Sequence, residues 1–474
     1  MKSLYHFTAI LLLTILWSCS DNSQSASGVS TNNAPTASGV TKGKVTFTEK
    51  PPVDVFESNL MTGHVPTWAK NANMYEVNIR QYTPEGTFSA FKEHLPRLKK
   101  MGVDILYLLP IYPISQRNKK GQLGNPYDVS DYGGVNPELG SLGDFRQMIR
   151  AIHQSGMKVI LDFEPSHTGW DHPWVSEHPD YYVNSKADGS TDVAKLNYDN
   201  QEMRKALVSD MLHWIQREKI DGYRMHNADA VPNDFWQYAT YELKSAKLDI
   251  FLLADSSDPS LRNNKYFHAD YGSELYNILN QVAAGEKGPN DIVKWYKGNQ
   301  KSYNQGWNLQ YTSNNDVNSK AGASYTRLGD ANKALTALAF TIEGMPLIYG
   351  GQEEPLAQQL KSFEKDDIGF KKYSLETWFS RILAVKHSNQ ALWNGSFGGP
   401  VELLQVDDQI FSFMREKNGN TIFCVFNLSD KPATYKMDRN LNRLNEITTR
   451  RVINFYKDAD LNLQPWSFRI YSTI

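Results

Sequence analysis

The sequence predicts an α/β fold, a (β/α)8 barrel followed by a smaller antiparallel β domain, and three observations predict it. Eight short, β-rich apolar runs alternate with longer segments of helical period. From about residue 395 the pattern changes to apolar–polar alternation between turns. The 474 residues also suffice for one large barrel plus one smaller domain.

The N-terminus reads as a processing signal. Lys2 supplies a positive start, and Phe7 to Trp17 is an apolar stretch too short to span a bilayer as a mature helix. Leu16-Trp17-Ser18-Cys19 then resembles a bacterial lipobox. Residues 1–18 are therefore expected to be a lipoprotein signal peptide, with Cys19 lipidated and the protein anchored in the bacterial cell envelope. Several acyl chains anchor stably where one is marginal. The only other cysteine is Cys424, so an acylated Cys19 leaves no disulfide partner. The stretch from Ser20 to about Lys50 is rich in Ser, Thr, Asn, Gly and Ala and cannot bury enough surface to fold, so 19–66 is expected to be a flexible tether.

The expected barrel, 67–394, contains the runs MYEVNI from Met74, VDILYLL from Val103, KVILDF from Lys158 and DGYRM from Asp221. IFLLA from Ile250, YFHADY from Tyr266, WNLQYT from Trp307 and MPLIYG from Met345 complete the eight. Helical stretches such as FSAFKEHLPRLKKMG and SLGDFRQMIRAIHQSG each end at a glycine suited to a left-handed cap. His172 to Asn200 is longer than a usual strand-to-helix loop and is expected to protrude beside the mouth. In 395–474, QIFSFMRE, NTIFCVFNLSD and SFRIYS read as strands, with a tight turn at Lys417-Asn418-Gly419-Asn420.

Four segments carry the chemistry: DFEPSHTG from Asp162, DGYRMHNAD from Asp221, FLLADSSD from Phe251 and YTSNND from Tyr311. In this order and spacing they resemble the signature motifs of the α-amylase family, glycoside hydrolase family 13. The resemblance implies a TIM barrel with a short B-domain-like insertion and a C-terminal antiparallel β-sandwich. It also implies a mouth carrying Tyr127, Asp162, His167, Arg224, His226, Asp255, Asn315 and Asp316. By the family pattern Tyr127 stacks under the sugar, His167, Asn315 and Asp316 grip its hydroxyls, and Arg224 orients the nucleophile.

Three of these positions depart from the pattern. His226 stands where the family has its nucleophilic aspartate, Asp255 where it has its general-acid glutamate, and Asn315 where it has a histidine. Retaining glycosidases need two carboxyl groups about 5–5.5 Å apart. A neutral or cationic imidazole gives an oxocarbenium-like transition state no anionic support, and displacement through a glycosyl ester is impossible at His226. Asp255 is one methylene short, and a misplacement of about 1 Å can cost about a hundredfold. His226 either fills space against a neighbouring carboxylate or, with His167 and nearby aspartates, ligates a transition metal, though the spacing matches no zinc motif. Ser166 replaces the first motif's usual asparagine and weakens the case for the calcium found in many family members. No metal and no cofactor are expected. Glu164 and Asp229 are possible substitute carboxylates, each weighed against a structural or solvated role.

A formal net charge of −2 gives no reason to expect nucleic acid as a partner. The expected partners are an α-glucan or related glycoside and, through the lipid anchor, the membrane. Three readings follow: an α-glucan-binding pseudoenzyme; an active hydrolase or transglycosylase that uses Asp255 with Glu164, Asp229 or Asp316; and a scaffold that no longer engages sugar.

Overall fold

The computed structural model describes residues 64–183, 192–299 and 306–473. The expected signal segment, Cys19 and the tether up to residue 63 lie outside the described residues.

Eight parallel strands close into a barrel: β1 (Met74–Val77), β2 (Ile105–Leu108), β3 (Lys158–Phe163), β4 (Gly222–Met225), β5 (Phe251–Ala254), β6 (Ala269–Tyr271), β7 (Trp307–Gln310) and β8 (Met345–Tyr349), with β8 pairing back onto β1. Each lies inside one of the eight apolar runs. The runs are continuous because every strand is covered on both faces, as parallel sheets with crossover helices require. Alternate residues divide between two layers. Met74, Ile105, Tyr107, Ile160, Leu253, Trp307, Leu309 and Leu347 belong to one buried cluster, the barrel interior. Their neighbours Tyr75, Leu106, Val159, Leu161, Tyr223, Leu252 and Ile348 belong to the layer between sheet and helices.

The stretch expected as one helix from Phe88 is two, Phe88–Lys92 and Leu95–Met101. Pro96 is the reason: inside a continuous helix its ring would clash with the carbonyl of Lys92, whereas in a new first turn its missing N–H costs nothing. Gly102 closes the second helix at φ 104°. The segment after β3 carries a two-residue ladder of His167–Thr168 with Ala194–Lys195 and a short helix, Pro173–Glu177. It is small, as the sequence suggests.

After a helix at Glu376–Ser388, strands β9 (Val401–Val406), β10 (Ile410–Lys417), β11 (Asn420–Asn427), β12 (Ala433–Lys436), β13 (Leu441–Glu446), β14 (Val452–Phe455), β15 (Asp460–Leu463) and β16 (Phe468–Ser472) build the C-terminal domain. Six of them form one antiparallel sheet, and β12 pairs with β15 in a second. Asn418 and Gly419 take φ 51° and 78° to make the β10–β11 hairpin. Period-two alternation explains how this sheet is buried twice. Phe423, Val425 and Tyr471 pack toward Tyr435 and Leu463 within the sandwich, while Phe411, Phe413, Ile422, Cys424 and Phe426 join the core shared with the barrel. Buried Arg415 fixes the seam by donating to the carbonyls of Gly399 (2.8 Å), Thr341 (2.9 Å) and Ile342 (3.0 Å). Among the described residues no helix is long and apolar enough to cross a membrane.

Candidate active site

The C-terminal ends of the strands converge on one mouth, and the pleat decides which side chains face it. Asp162 on β3 pairs in register with Arg224 on β4, and Arg224 with Leu253 on β5. The ladder continues one residue past the strands: the His226 N–H donates to the Phe163 carbonyl (2.8 Å) and the Asp255 N–H to the Met225 carbonyl (3.0 Å). Residues two apart share a face, so Glu164, His226 and Asp255 form the next layer above Asp162, Arg224 and Leu253.

Arg224 organises both layers. Its Nη1 donates to both carboxylate oxygens of Asp162 (2.9 Å each) and to His226 Nδ1 (2.6 Å), while Nη2 donates to Asp255 Oδ2 (2.8 Å). Tyr107 and Tyr127 complete the cage by donating their hydroxyls to Asp162 Oδ2 at 2.7 and 2.8 Å. Burial works against the Arg224 charge, but Asp162 and Asp255 more than offset it and hold the guanidinium protonated. Tyr271 packs 5.5 Å from the guanidinium carbon.

His226 is held on three sides. Its ring stacks on Tyr127 with centroids 4.0 Å apart and planes inclined by 25°. An arginine can only donate, so Nδ1 accepts from Arg224 and the imidazole proton belongs on Nε2. Burial first, and then the Arg224 charge, push its pKa down to about 2. Nε2 lies 3.7 Å from Glu164 Oε2. Glu164 has no exposed side-chain surface, and its Oε1 accepts from the Ser166 N–H (2.7 Å) and the Ser166 hydroxyl. Burial raises its pKa to about 8. Ser166 Oγ also lies 3.0 Å from His167 Nδ1, and burial lowers His167 to about 4.

The sequence-marked residues therefore come together around Arg224 with two qualifications. Asn315 and Asp316 stand on the opposite side, in the first turn of a helix that begins at Asn315 and is capped by Asn314. The Asn315 N–H faces both oxygens of Glu76 at 3.3 Å, and its side-chain oxygen accepts from Asn78. Asp229 belongs elsewhere: it accepts from the Ser256 hydroxyl and from the Ser257 N–H and hydroxyl, stapling the loops after β4 and β5. Sequence reasoning missed Glu76, Tyr107 and Tyr271. Burial drives the Glu76 carboxyl well upward, reinforced by the charge of Asp316. The signal was an acidic residue inside the apolar run MYEVNI. Among the described residues no group of three or more His, Cys, Asp and Glu side chains is arranged to hold a metal ion.

A (β/α)8 barrel with a small excursion after its third strand, a C-terminal β domain and a mouth built on an arginine–carboxylate cage defines the class of protein. Family models agree: residues 54–192 and 178–373 match the α-amylase catalytic domain, and 401–470 match the maltogenic amylase C-terminal domain. The chain belongs to the α-amylase family. It is 25% identical over 399 residues to α-amylase MalA of Haloarcula japonica, covering 78% of this chain and 57% of that protein. It is 24% identical over 428 residues to the intracellular maltogenic amylase of Bacillus subtilis, covering 82% and 70%. Among solved structures, an α-amylase from Lactobacillus plantarum superposes with a TM-score of 0.76 at 23% identity, covering 86% of this chain and all of that one. The maltogenic α-amylase AmyB of Thermotoga neapolitana gives 0.77 at 22%, covering 86% and 99%.

Proposed function

We propose that this protein engages an α-glucan or related α-glycoside at the barrel mouth and has lost the family's retaining displacement. The state of His226 carries this reading. Its Nδ1 lone pair is engaged by Arg224 at 2.6 Å and Nε2 bears the proton, so neither nitrogen is free to attack an anomeric carbon. Asp255 is drawn onto the same guanidinium at 2.8 Å. The fold, the family and the retained Tyr127, His167, Arg224 and Asp316 support a carbohydrate ligand. Calorimetry with maltooligosaccharides should show weak binding, about millimolar, because a few contacts must offset the lost freedom of the ligand. Tyr127→Ala should weaken it further by removing a phenol that packs against His226 and holds Asp162. No heat with any α-glucan would favour the scaffold role instead.

We also propose that the protein is anchored in the cell envelope through lipid on Cys19, which the apolar run ending at that residue supports. Wild type should partition into membranes, and Cys19→Ala should abolish lipidation. Equal solubility of the two forms, with cleavage at another site, would sink the anchor.

A further inference from the structure

We propose that the seam between the barrel and the C-terminal domain holds a second ligand site, sharing no residue with the mouth, that takes a phosphorylated saccharide. The inference does not rest on the glucan reading. An open cleft runs between the helices Leu95–Met101 and Glu376–Ser388 and the turn that joins β13 to β14. It has two lobes, about 360 and 200 Å³, with Thr377, Arg381 and Thr448 as their common wall. The larger lobe falls within the range of small-molecule sites, about 300–1,000 Å³.

The charge of this cleft is one-sided. Lys100, Arg381 and Arg450 line the larger lobe, and Lys333, from the helix Asn332–Thr341, joins Arg381 in the smaller. Among the lining residues the one acid is Glu376, and Arg97 already holds its carboxylate at 3.1 Å. In a chain whose 50 basic residues stand against 52 acidic ones, four cations beside one engaged carboxylate make a local positive basin. None of the four forms an ion pair among the described residues. Most surface cations are merely solvated, but Arg381 is held in place. It donates through Nη1 to the Thr448 carbonyl across the seam at 2.6 Å, which orients the guanidinium without neutralising it. That bond uses one of five N–H donors, and the remaining fork suits the oxygens of a phosphate. Arg450 sits in the left-handed region at φ 59°, where asparagine or glycine is favoured, so the turn itself gains nothing from an arginine there.

The rest of the wall fits a sugar. Ser380 and Thr449 add hydroxyls to the larger lobe, and the half-buried Trp378 lines the smaller. An indole gives a pyranose ring an apolar face, and hydroxyls both donate and accept. A sugar phosphate therefore uses both kinds of group, whereas a neutral sugar leaves the cations unused and a bare phosphate leaves Trp378 uncovered.

The test is glucose 1-phosphate binding by calorimetry on wild type, Lys100→Gln, Arg381→Gln and Arg450→Asn, with glucose and inorganic phosphate as comparison ligands. Wild type should bind the ester with a Kd of about 0.1 mM and each comparison ligand at least about tenfold more weakly, since each makes only part of the contacts. Every substitution should weaken the ester about tenfold, the size of one charge-assisted hydrogen bond. Lys100 and Arg450 form no ion pair among the described residues, so those two variants report on the site even where Arg381→Gln loosens the seam. Melting supplies a second readout. Saturating ester should raise the wild-type Tm. Arg450→Asn should melt at or above wild type without ligand, because asparagine takes a left-handed backbone more readily, and should lose most of that rise. Tyr127→Ala, which alters the mouth, should bind the ester as wild type does. Four results overturn the site: no binding of the ester to wild type, inorganic phosphate binding as tightly as the ester, binding unchanged in all three cleft variants, or binding lost in Tyr127→Ala. Each leaves the glucan reading to its own test with maltooligosaccharides.

Discussion

Arg224→Met should be among the most destabilising single substitutions in this protein, lowering stability by about 3–5 kcal/mol, because it strips a buried carboxylate of its counter-charge. Asp162 has no side-chain exposure and Arg224 only 3%, so water cannot take over the role of the guanidinium. The phenols of Tyr107 and Tyr127 would remain, but two neutral donors do not compensate a buried anion. Urea unfolding of the single variant should show a lowered midpoint. The double variant Asp162→Asn with Arg224→Met should recover much of the loss, since it removes the stranded charge along with its partner. A single variant as stable as wild type would show that Arg224 is not what holds the floor of the mouth.

The barrel was legible in the sequence because burial on both faces leaves short continuous apolar runs that alternate with helical segments. KVILDF and MPLIYG become β3 and β8 with almost no trimming. YFHADY was less legible. The strand proper is only Ala269–Tyr271; the His268 backbone still bonds to Leu252 and Trp307 on either side, while its ring meets the Leu252 N–H and the His64 carbonyl. The break at Pro96 was written in the sequence but hidden inside an otherwise helical period. The candidate site was legible wherever a motif fixed the spacing, because period-two geometry carries Asp162 to Glu164 and Arg224 to His226. What spacing could not give was partnership. That Arg224 would bind Asp162, His226 and Asp255 at once depends on three strands lying side by side in register. Glu76 escaped for a related reason: it matters only because β1 lies opposite the helix that begins at Asn315.

On the proposed loss of the retaining displacement, the combined change His226→Asp, Asp255→Glu and Asn315→His, which puts the side chains of the family pattern at three positions, should raise hydrolysis of an α-maltoside with a good leaving group by orders of magnitude. Wild type should show little or none. Each single change should do far less, because groups that act as a unit are strongly non-additive. The geometry gives each part a separate task. Removing the imidazole uncovers the Tyr127 face that it stacks upon at 4.0 Å and returns an anion beside Arg224. The longer acid at 255 reaches past the guanidinium that now holds Asp255 at 2.8 Å. Histidine at 315 places an imidazole beside Glu76, whose oxygens the backbone N–H there already faces at 3.3 Å. Glu164 is the remaining contact to manage, since its buried carboxyl sits 3.7 Å from the ring that would become the nucleophile. In the triple variant it must stay protonated, because the neighbouring Asp162 and the new aspartate both oppose a further charge. Robust wild-type turnover that survives His226→Ala and disappears in Glu164→Gln would overturn the loss of catalysis and would make that glutamate the acid of a rebuilt site.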